Sequence, residues 1–264
     1  MTVPKADPEA VDRRSLHERI AADLRDDIMS GELAPGANLP TTAQLKARFE
    51  ASSATVQKAL QLLKDERLVV GRAGAAVTVR EHRQRTVRPA ALMRPGSPGA
   101  PYRWLAEAAK HGRHARIQLL DVAESHPPAD VRTALDLPAD GIALLRGQIL
   151  LVDDEPAELV ESYYPLDIAR DTPLAERRRI RGGTPALLTG LGHPPRRSTD
   201  RVSARVPTQA QYHALRLTSG MPVLRTLRVI HSDGDRPVEV TVMVKAGHLY
   251  ELQYEFTGEE EEGT

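Results

Sequence analysis

The chain has 264 residues, with 36 Lys and Arg balanced by 36 Asp and Glu, and no cysteine. That length allows one large domain or two ordinary ones, and the missing cysteine excludes disulfides and thiolate metal sites. No run approaches the ~20 apolar residues of a membrane span and no signal-peptide pattern opens the chain, so a soluble cytoplasmic protein is expected.

Residues 1–14 are polar and Pro-containing, the composition of a disordered tail. Ser15-Leu16-His17-Glu18 is a capping box. It predicts a helix with the apolar stripe Leu16, Ile20, Leu24 and Ile28, ended by Gly31. Leu33 and Leu39 bracket a Pro35-Gly36 turn. Pro40 to Leu63 then reads as two short helices joined by a tight turn. Thr41 or Thr42 caps the first, whose apolar face is Leu45 and Phe49. Ser52 or Ser53 caps the second, in which Val56, Ala59, Leu60 and Leu63 follow the i, i+3, i+4, i+7 spacing of one buried face. The opposite face opens with Ser53, Ala54 and Thr55 and continues with Gln57 and Lys58. A helix of that kind enters a major groove, where Gln and Ser read base edges and Lys meets phosphate.

An ordinary helical hairpin with a solvated face gives the same pattern, and the surroundings decide against it. Leu68-Val69-Val70 leads through Gly71-Arg72-Ala73-Gly74 to Val77 and Val79, a two-stranded hairpin with Arg72 near its tip. Three helices followed by a β-hairpin make a winged helix-turn-helix over residues 15–80. From Met1 to Leu45 five bases face eight acids, a net of −3, whereas from Lys46 to Arg88 ten bases face four acids, a net of +6. Phosphates feel that local charge, because salt screens remote charges within ~10 Å. The candidate DNA-binding residues are Thr42, Gln44 and Lys46 on the first helix of the pair, Ser52, Ser53, Ala54, Thr55, Gln57 and Lys58 on the second, and Arg72 and Gly74 in the hairpin.

The run L-H-E-R-I-A-A-D-L-R-D-D-I-M-S-G-E-L-A-P-G-A-N-L-P resembles the opening of the GntR family of bacterial transcription regulators. The likeness continues through A-S-S-A-T-V-Q-K-A-L-Q-L-L-K-D-E-R-L-V-V-G-R-A-G and covers Leu16 to about Val79. It implies double-stranded operator DNA as a partner. Three places depart from the family pattern. Ala43 stands where the family usually has Arg, Ser53 and Gln57 replace the two Arg of S-R-x-T-V-R, and Ala76 replaces the second wing glycine. Each bidentate Arg–guanine contact is worth ~1–3 kcal/mol, so these changes predict a different operator sequence or weaker discrimination.

Glu81 to Pro101 is rich in Arg, Pro and Gly and reads as a spacer, 81–101, before a second domain, 102–257, and an acidic tail, 258–264. In that domain the patterning predicts helices at Trp104–Ala109, Pro128–Leu135, Thr184–Leu191 and Gln209–Leu217. Strands are expected at Ile117–Val122, Ile142–Val152, Ala157–Tyr164, Val202–Val206, Val223–Ile230 and Val238–Val244. Strands in runs with helices at the joints point to an α+β class with an antiparallel sheet. The pieces V-R-T-A-L-D-L-P-A-D-G, L-L-R-G-Q-I-L-L-V-D-D-E-P-A-E-L-V-E-S-Y-Y-P, G-G-T-P-A-L-L-T-G-L-G and G-D-R-P-V-E-V-T-V resemble the UTRA ligand-sensing domain of HutC-type GntR regulators.

That resemblance implies a chorismate-lyase-like fold with a small-molecule effector in a cleft over the sheet. It places effector contacts at Arg146, Gln148, Glu161, Ser162, Tyr163 and Glu239. Gln148 replaces the family's second Arg, so Arg146 is expected to bind an anionic or strongly polar group, with Glu161 and Glu239 accepting hydroxyl or amine hydrogens. A competing structural role for Arg146 is an ion pair with Glu161 across the hairpin.

The histidines lack ligand spacing, so no metal is expected, and no cofactor is implied. None of the common hydrolase, nucleotide-binding or zinc-protease motifs occurs. A chorismate-lyase-like enzyme with an appended DNA-binding head is the rival reading, and an architectural DNA-binding protein without effector is a third. A free-standing lyase has no use for a winged helix with a basic flank. The sequence therefore predicts a homodimeric, ligand-controlled regulator, a repressor on a palindromic operator with half-sites ~10 bp apart or in a compact overlapping arrangement, and not an enzyme.

Overall fold

A computed structural model describes residues 12–71, 76–81, 85–89, 103–180, 182–218 and 220–255. Most of the expected disordered tail, the wing-tip residues Arg72 and Gly74, most of the expected spacer and the acidic tail lie outside the described residues. The chain divides into two compact units between Gln84 and Arg85.

The first unit holds α1 (Leu16–Ser30), α2 (Thr42–Phe49), α3 (Ser53–Asp65), β1 (Val69–Val70) and β2 (Thr78–Val79). Glu18 reaches back to accept from the Ser15 backbone N–H at 2.8 Å, starting α1, and Gly31 ends it at φ 93°. Thr41 opens α2 with a second capping box, its hydroxyl accepting from the Gln44 N–H at 3.3 Å. Ile20, Ala21, Leu24 and Ile28 of α1 and Val56, Ala59, Leu60 and Leu63 of α3 are all buried. These two stripes make the core of the unit, each large side chain contributing ~1.5–3 kcal/mol. β1 and β2 pair antiparallel, Val69 opposite Val79. The segment after α1 joins them: Leu39 donates to the Val77 carbonyl and Gly36, at φ 76°, donates to that of Val79. A side chain at Gly36 would strain that left-handed turn.

The second unit carries a six-stranded antiparallel sheet. Its strands are β4 (Ala115–Ser125), β5 (Ala143–Val152), β6 (Glu155–Pro165), β7 (Arg197–Arg205), β8 (Val223–His231) and β9 (Pro237–Ala246), in the order β4-β5-β6-β9-β8-β7. Short helices α4 (Arg103–Lys110), α5 (Ala129–Ala134), α6 (Leu166–Ala169), α7 (Thr184–Gly190) and α8 (Gln209–Ala214) lie between strands or before them. Two tight hairpins build the centre. Asp153 and Asp154, both at positive φ, join β5 to β6, and Asp233 to Asp235, with Gly234 at φ 68°, joins β8 to β9.

The order is symmetric about the β6–β9 seam, and so is the register. β4-α5-β5-β6 repeats as β7-α8-β8-β9. The cross-strand pairs Leu150–Glu158, Gln148–Val160 and Arg146–Ser162 of the first half correspond to Ile230–Glu239, Arg228–Thr241 and Thr226–Met243 of the second. Along β6 and β9 the residues Glu158, Val160, Ser162, Tyr164, Glu239, Thr241, Met243 and Lys245 therefore share one face, because side chains alternate. The other face packs Tyr163, Val240, Val242 and Val244 with Val131 and Leu135 of the α5 region and Leu215 and Leu217 beyond α8.

Several expectations change. Arg85–Val87, inside the stretch read as spacer, forms β3 and pairs parallel with β10 (Tyr250–Leu252), which the patterning did not predict. The strand of which Val202–Val206 was expected to be part runs from Arg197 to Arg205, leaving only Val206 outside it and 89% exposed. Its alternation of Arg, Asp and Ser masked an edge strand, which needs no apolar run. The helix expected to reach Leu217 stops at Ala214, and Arg216 turns left-handed at φ 49°.

Candidate functional site

In the first unit, Ser53, Ala54, Gln57 and Lys58 line the exposed side of α3, and Lys46 is exposed on α2. Five of the expected DNA-binding residues also hold the helices themselves. Gln44 accepts from the Thr41 N–H at 2.8 Å, and the Ser52 hydroxyl accepts from the Thr55 N–H at 3.2 Å. Gln57 donates to the Thr42 hydroxyl at 3.3 Å and so ties α3 to α2. Arg48, which the sequence reading passed over, lies over the Phe49 ring at 4.8 Å and pairs with Asp27 at 2.8 Å. At the C-terminal end of α3, Arg25 of α1 grips the buried Glu66 carboxylate through two hydrogen bonds of 2.7 and 2.8 Å.

In the second unit a cavity of about 160 Å³ opens over the face that carries Ser162 and Glu239. Its floor comes from Gln148, Glu158, Val160, Ser162, Thr226, Arg228, Glu239, Thr241, Met243 and Lys245. Its walls are Arg179, Ile180 and the stretch from Gly182 to Pro185, with a rim of Val87, Pro89, Trp104 and Leu252. Trp104 is the single tryptophan of the chain. The rim places β3 and β10 directly against the space a ligand would fill.

The six expected effector residues do not share one side of the sheet. Gln148, Ser162 and Glu239 line the cavity. Glu161 and Tyr163 point to the opposite face, where the Tyr163 hydroxyl donates to Glu161 at 3.5 Å and Arg225 pairs with Asp130 at 2.8 Å. Burial pushes the Glu161 carboxyl up, partly countered by Tyr163 and Arg225. Arg146 stands opposite Ser162, not Glu161, so the competing Arg146–Glu161 pair does not form. The reason is register: Glu161 faces Gly147, one residue along, and one step reverses the side.

Arg146 is 1% exposed, and its guanidinium donates to the carbonyls of Leu174, Glu176 and Arg178. It is absent from the cavity lining and instead anchors the segment that continues into the cavity wall at Arg179. In this structure the guanidinium clamps that segment. Burial lowers the guanidinium pKa, opposed by Tyr164 and Glu176.

The polar groups of the cavity are organised in pairs. Arg228 holds Asp200 through two bonds of 2.7 and 2.6 Å. Lys245 and Glu158, both buried, pair across the β6–β9 seam. Glu239 is buried and its Oε1 accepts from the Thr241 hydroxyl at 2.8 Å and from the Tyr164 hydroxyl at 3.1 Å. Oε2 of Glu239 makes no hydrogen bond. Burial pushes this carboxyl up, while the surrounding hydroxyls of Thr241, Tyr164, Thr184 and Ser162 pull it down. Sequence reasoning missed Glu158, Thr226, Arg228 and Lys245. Strand alternation finds them once the strand order is known.

Among the described residues no group of three or more His, Asp or Glu could hold a metal ion. No helix among them is long and apolar enough to cross a membrane.

Comparison with known proteins agrees with both units. A family model described as "UTRA domain" matches residues 110–251, and one described as "Bacterial regulatory proteins, gntR family" matches residues 16–79. The HTH-type transcriptional regulator SCO4628 of Streptomyces coelicolor is 27% identical over 94% of both chains. The HTH-type transcriptional regulator GgaR of Escherichia coli is 23% identical over 91% of both. The mannosyl-D-glycerate transport/metabolism system repressor MngR of Escherichia coli is 36% identical over 70 residues, 26% of this chain and 29% of that one. Among solved structures, PhnF from Mycobacterium smegmatis superposes with a TM-score of 0.53 at 17% identity, over 90% of this chain and 100% of that one. A GntR-family transcriptional regulator gives 0.59 at 23% identity, over 93% and 99%. These two likenesses show the fold.

Proposed function

Because the chain belongs to the GntR family of DNA-binding transcription regulators and carries their UTRA effector domain, we propose that it is a homodimeric repressor released from a palindromic operator by a small polar effector. Membership in a regulator family sets aside the lyase reading. The observation that carries the proposal is the cavity: a walled space with charged and hydroxyl side chains on its floor, on a chain that also presents an exposed helix with Ser53, Gln57 and Lys58. Fold alone does not assign function, and an architectural DNA-binding protein has no need of such a cavity.

In this reading Ser53, Ala54 and Gln57 face base edges, with Thr42 fixing Gln57, while Lys46, Lys58 and the wing-tip Arg72 meet phosphate. Ser52, Thr55 and Gln44 set the helix ends. The effector occupies the cavity against Gln148, Ser162 and Glu239. Glu161 and Tyr163 support the far side of the sheet. The head spans 15–80 and the cytoplasmic effector domain begins at β3 and ends near 257. Signal transfer follows from the rim: Val87 and Pro89 lie against the ligand space and continue, within a few residues, from the wing strand β2. A ligand that prefers one arrangement of β3 shifts the DNA-binding equilibrium, and operator DNA shifts ligand affinity by the same factor.

Selection of random duplexes on the full chain tests this. A palindromic consensus bound by two copies is the expected result. Recovery of sequence-independent binding alone would favour the architectural reading.

A further inference from the structure

The pseudo-symmetry of the second unit sets two carboxylates in equivalent places within one cavity. Glu158 pairs in register with Leu150, and Glu239 with Ile230, at matching positions of the two halves. Opposite Glu158 across the seam stands Lys245, whose ammonium it binds. The same operation carries Lys245 onto Tyr164, which stands opposite Glu239 and offers a hydroxyl to Oε1. One end of the cavity thus holds a carboxylate with a built-in cation. The other holds a carboxylate surrounded by hydroxyls, two of them on Oε1, with no hydrogen bond on Oε2.

We infer that the effector carries a cationic nitrogen, and that this nitrogen binds Oε2 of Glu239 as the Lys245 ammonium binds Glu158. The inference rests on the proposed effector role of the cavity and names the ligand class it takes. The other charges around the space agree with it. Arg228 is held by Asp200, Lys245 by Glu158, and Arg179 is exposed at the rim. The deep cations are thus already matched by carboxylates, which disfavours a phosphate or carboxylate ligand there. A buried, unmatched carboxylate is costly, and a bound cation removes the cost. The raised carboxyl of Glu239 fits: without ligand the acid holds its proton further up the pH scale, and the cation displaces it. Thr184, Ser162, Thr241 and Tyr164, the other groups that face it, are all hydroxyls. The cavity volume of about 160 Å³ is on the scale that takes a six-carbon ring.

The test uses the full chain and three ring compounds of one size: cyclohexylamine, cyclohexanol and cyclohexanecarboxylate. Binding is read from Trp104 fluorescence and from the shift of the thermal melt. Cyclohexylamine alone should bind. Its affinity should rise with pH through the titration of Glu239 and fall only when the amine itself loses its proton. E239Q should lower that affinity on the order of thirtyfold, the loss expected when a buried charge pair loses one partner. A tighter response to the carboxylate, an equal response to the alcohol, no response to the amine, or an E239Q variant that retains amine affinity would each overturn the inference. Operator binding by the ligand-free protein is measured alongside. Its absence would count against the regulator reading, whereas intact operator binding with no amine response sinks only the ligand class.

Discussion

Replacing Arg146 by Met separates two roles for this side chain. In the structure its guanidinium holds three carbonyls, and their surroundings set the magnitude. Leu174 is fully buried, so its carbonyl loses the donor without replacement by water. That costs about 1–3 kcal/mol. Glu176 and Arg178 are exposed and exchange their bonds for water at little net loss. Removing a desolvated guanidinium returns part of the cost, and methionine fills most of the volume. A net destabilisation of about 2 kcal/mol follows, which for a unit of this size lowers the melting temperature by about 4–8 °C. Thermal melts of the ligand-free chain measure it, and hydrogen exchange across Leu174 to Arg178 should accelerate in parallel. Ligand binding should weaken as a consequence, since the same segment continues into the cavity wall. An unchanged melt with lost ligand binding would refute the clamp and restore Arg146 as a direct ligand contact.

Three further outcomes follow. Lys58→Ala should weaken binding to every duplex and reduce its salt slope by about one unit, whereas Gln57→Ala should relax base preference; salt-titrated binding to selected and scrambled duplexes separates them. E239Q should change the pH profile of stability. The native carboxyl titrates above its unfolded value, so the native state holds the extra proton, and stability is full below the unfolded value and lost as pH rises through the native one. The variant should lack that decline and melt higher than the parent at neutral pH without ligand, and a parallel profile in both proteins would contradict the raised carboxyl. Arg25→Met should destabilise the full chain by roughly 3 kcal/mol, because it strips a buried carboxylate of a two-bond partner; a denaturant midpoint within error of the parent would show that Glu66 finds a substitute.

The head was legible because local signals repeat there. Ser15 with Glu18 and Thr41 with Gln44 announce helix starts, and the spacing of Val56, Ala59, Leu60 and Leu63 fixes the buried face of α3. The cavity was harder. Its polar floor is assembled from four strands, and which residues share a side depends on register. Alternation along β5 puts Arg146 and Gln148 on one face, as the structure has them, while the register of β6 sets Glu161 and Tyr163 on the side away from the cavity. The sequence offered one unused clue. Ala134-Leu135-Asp136-Leu137 recurs as Ala214-Leu215-Arg216-Leu217, marking the repeat whose symmetry pairs Glu158 with Glu239. β3 and β10 left no trace in the patterning, since three residues against three is too short for a period to register.

The most direct measurement is the affinity of the full chain for its selected operator, by fluorescence anisotropy, with and without compounds that raise its melting temperature. Such compounds should weaken operator binding, and operator should weaken their binding by the same factor. Compounds that stabilise the second unit yet leave operator affinity unchanged would contradict effector control.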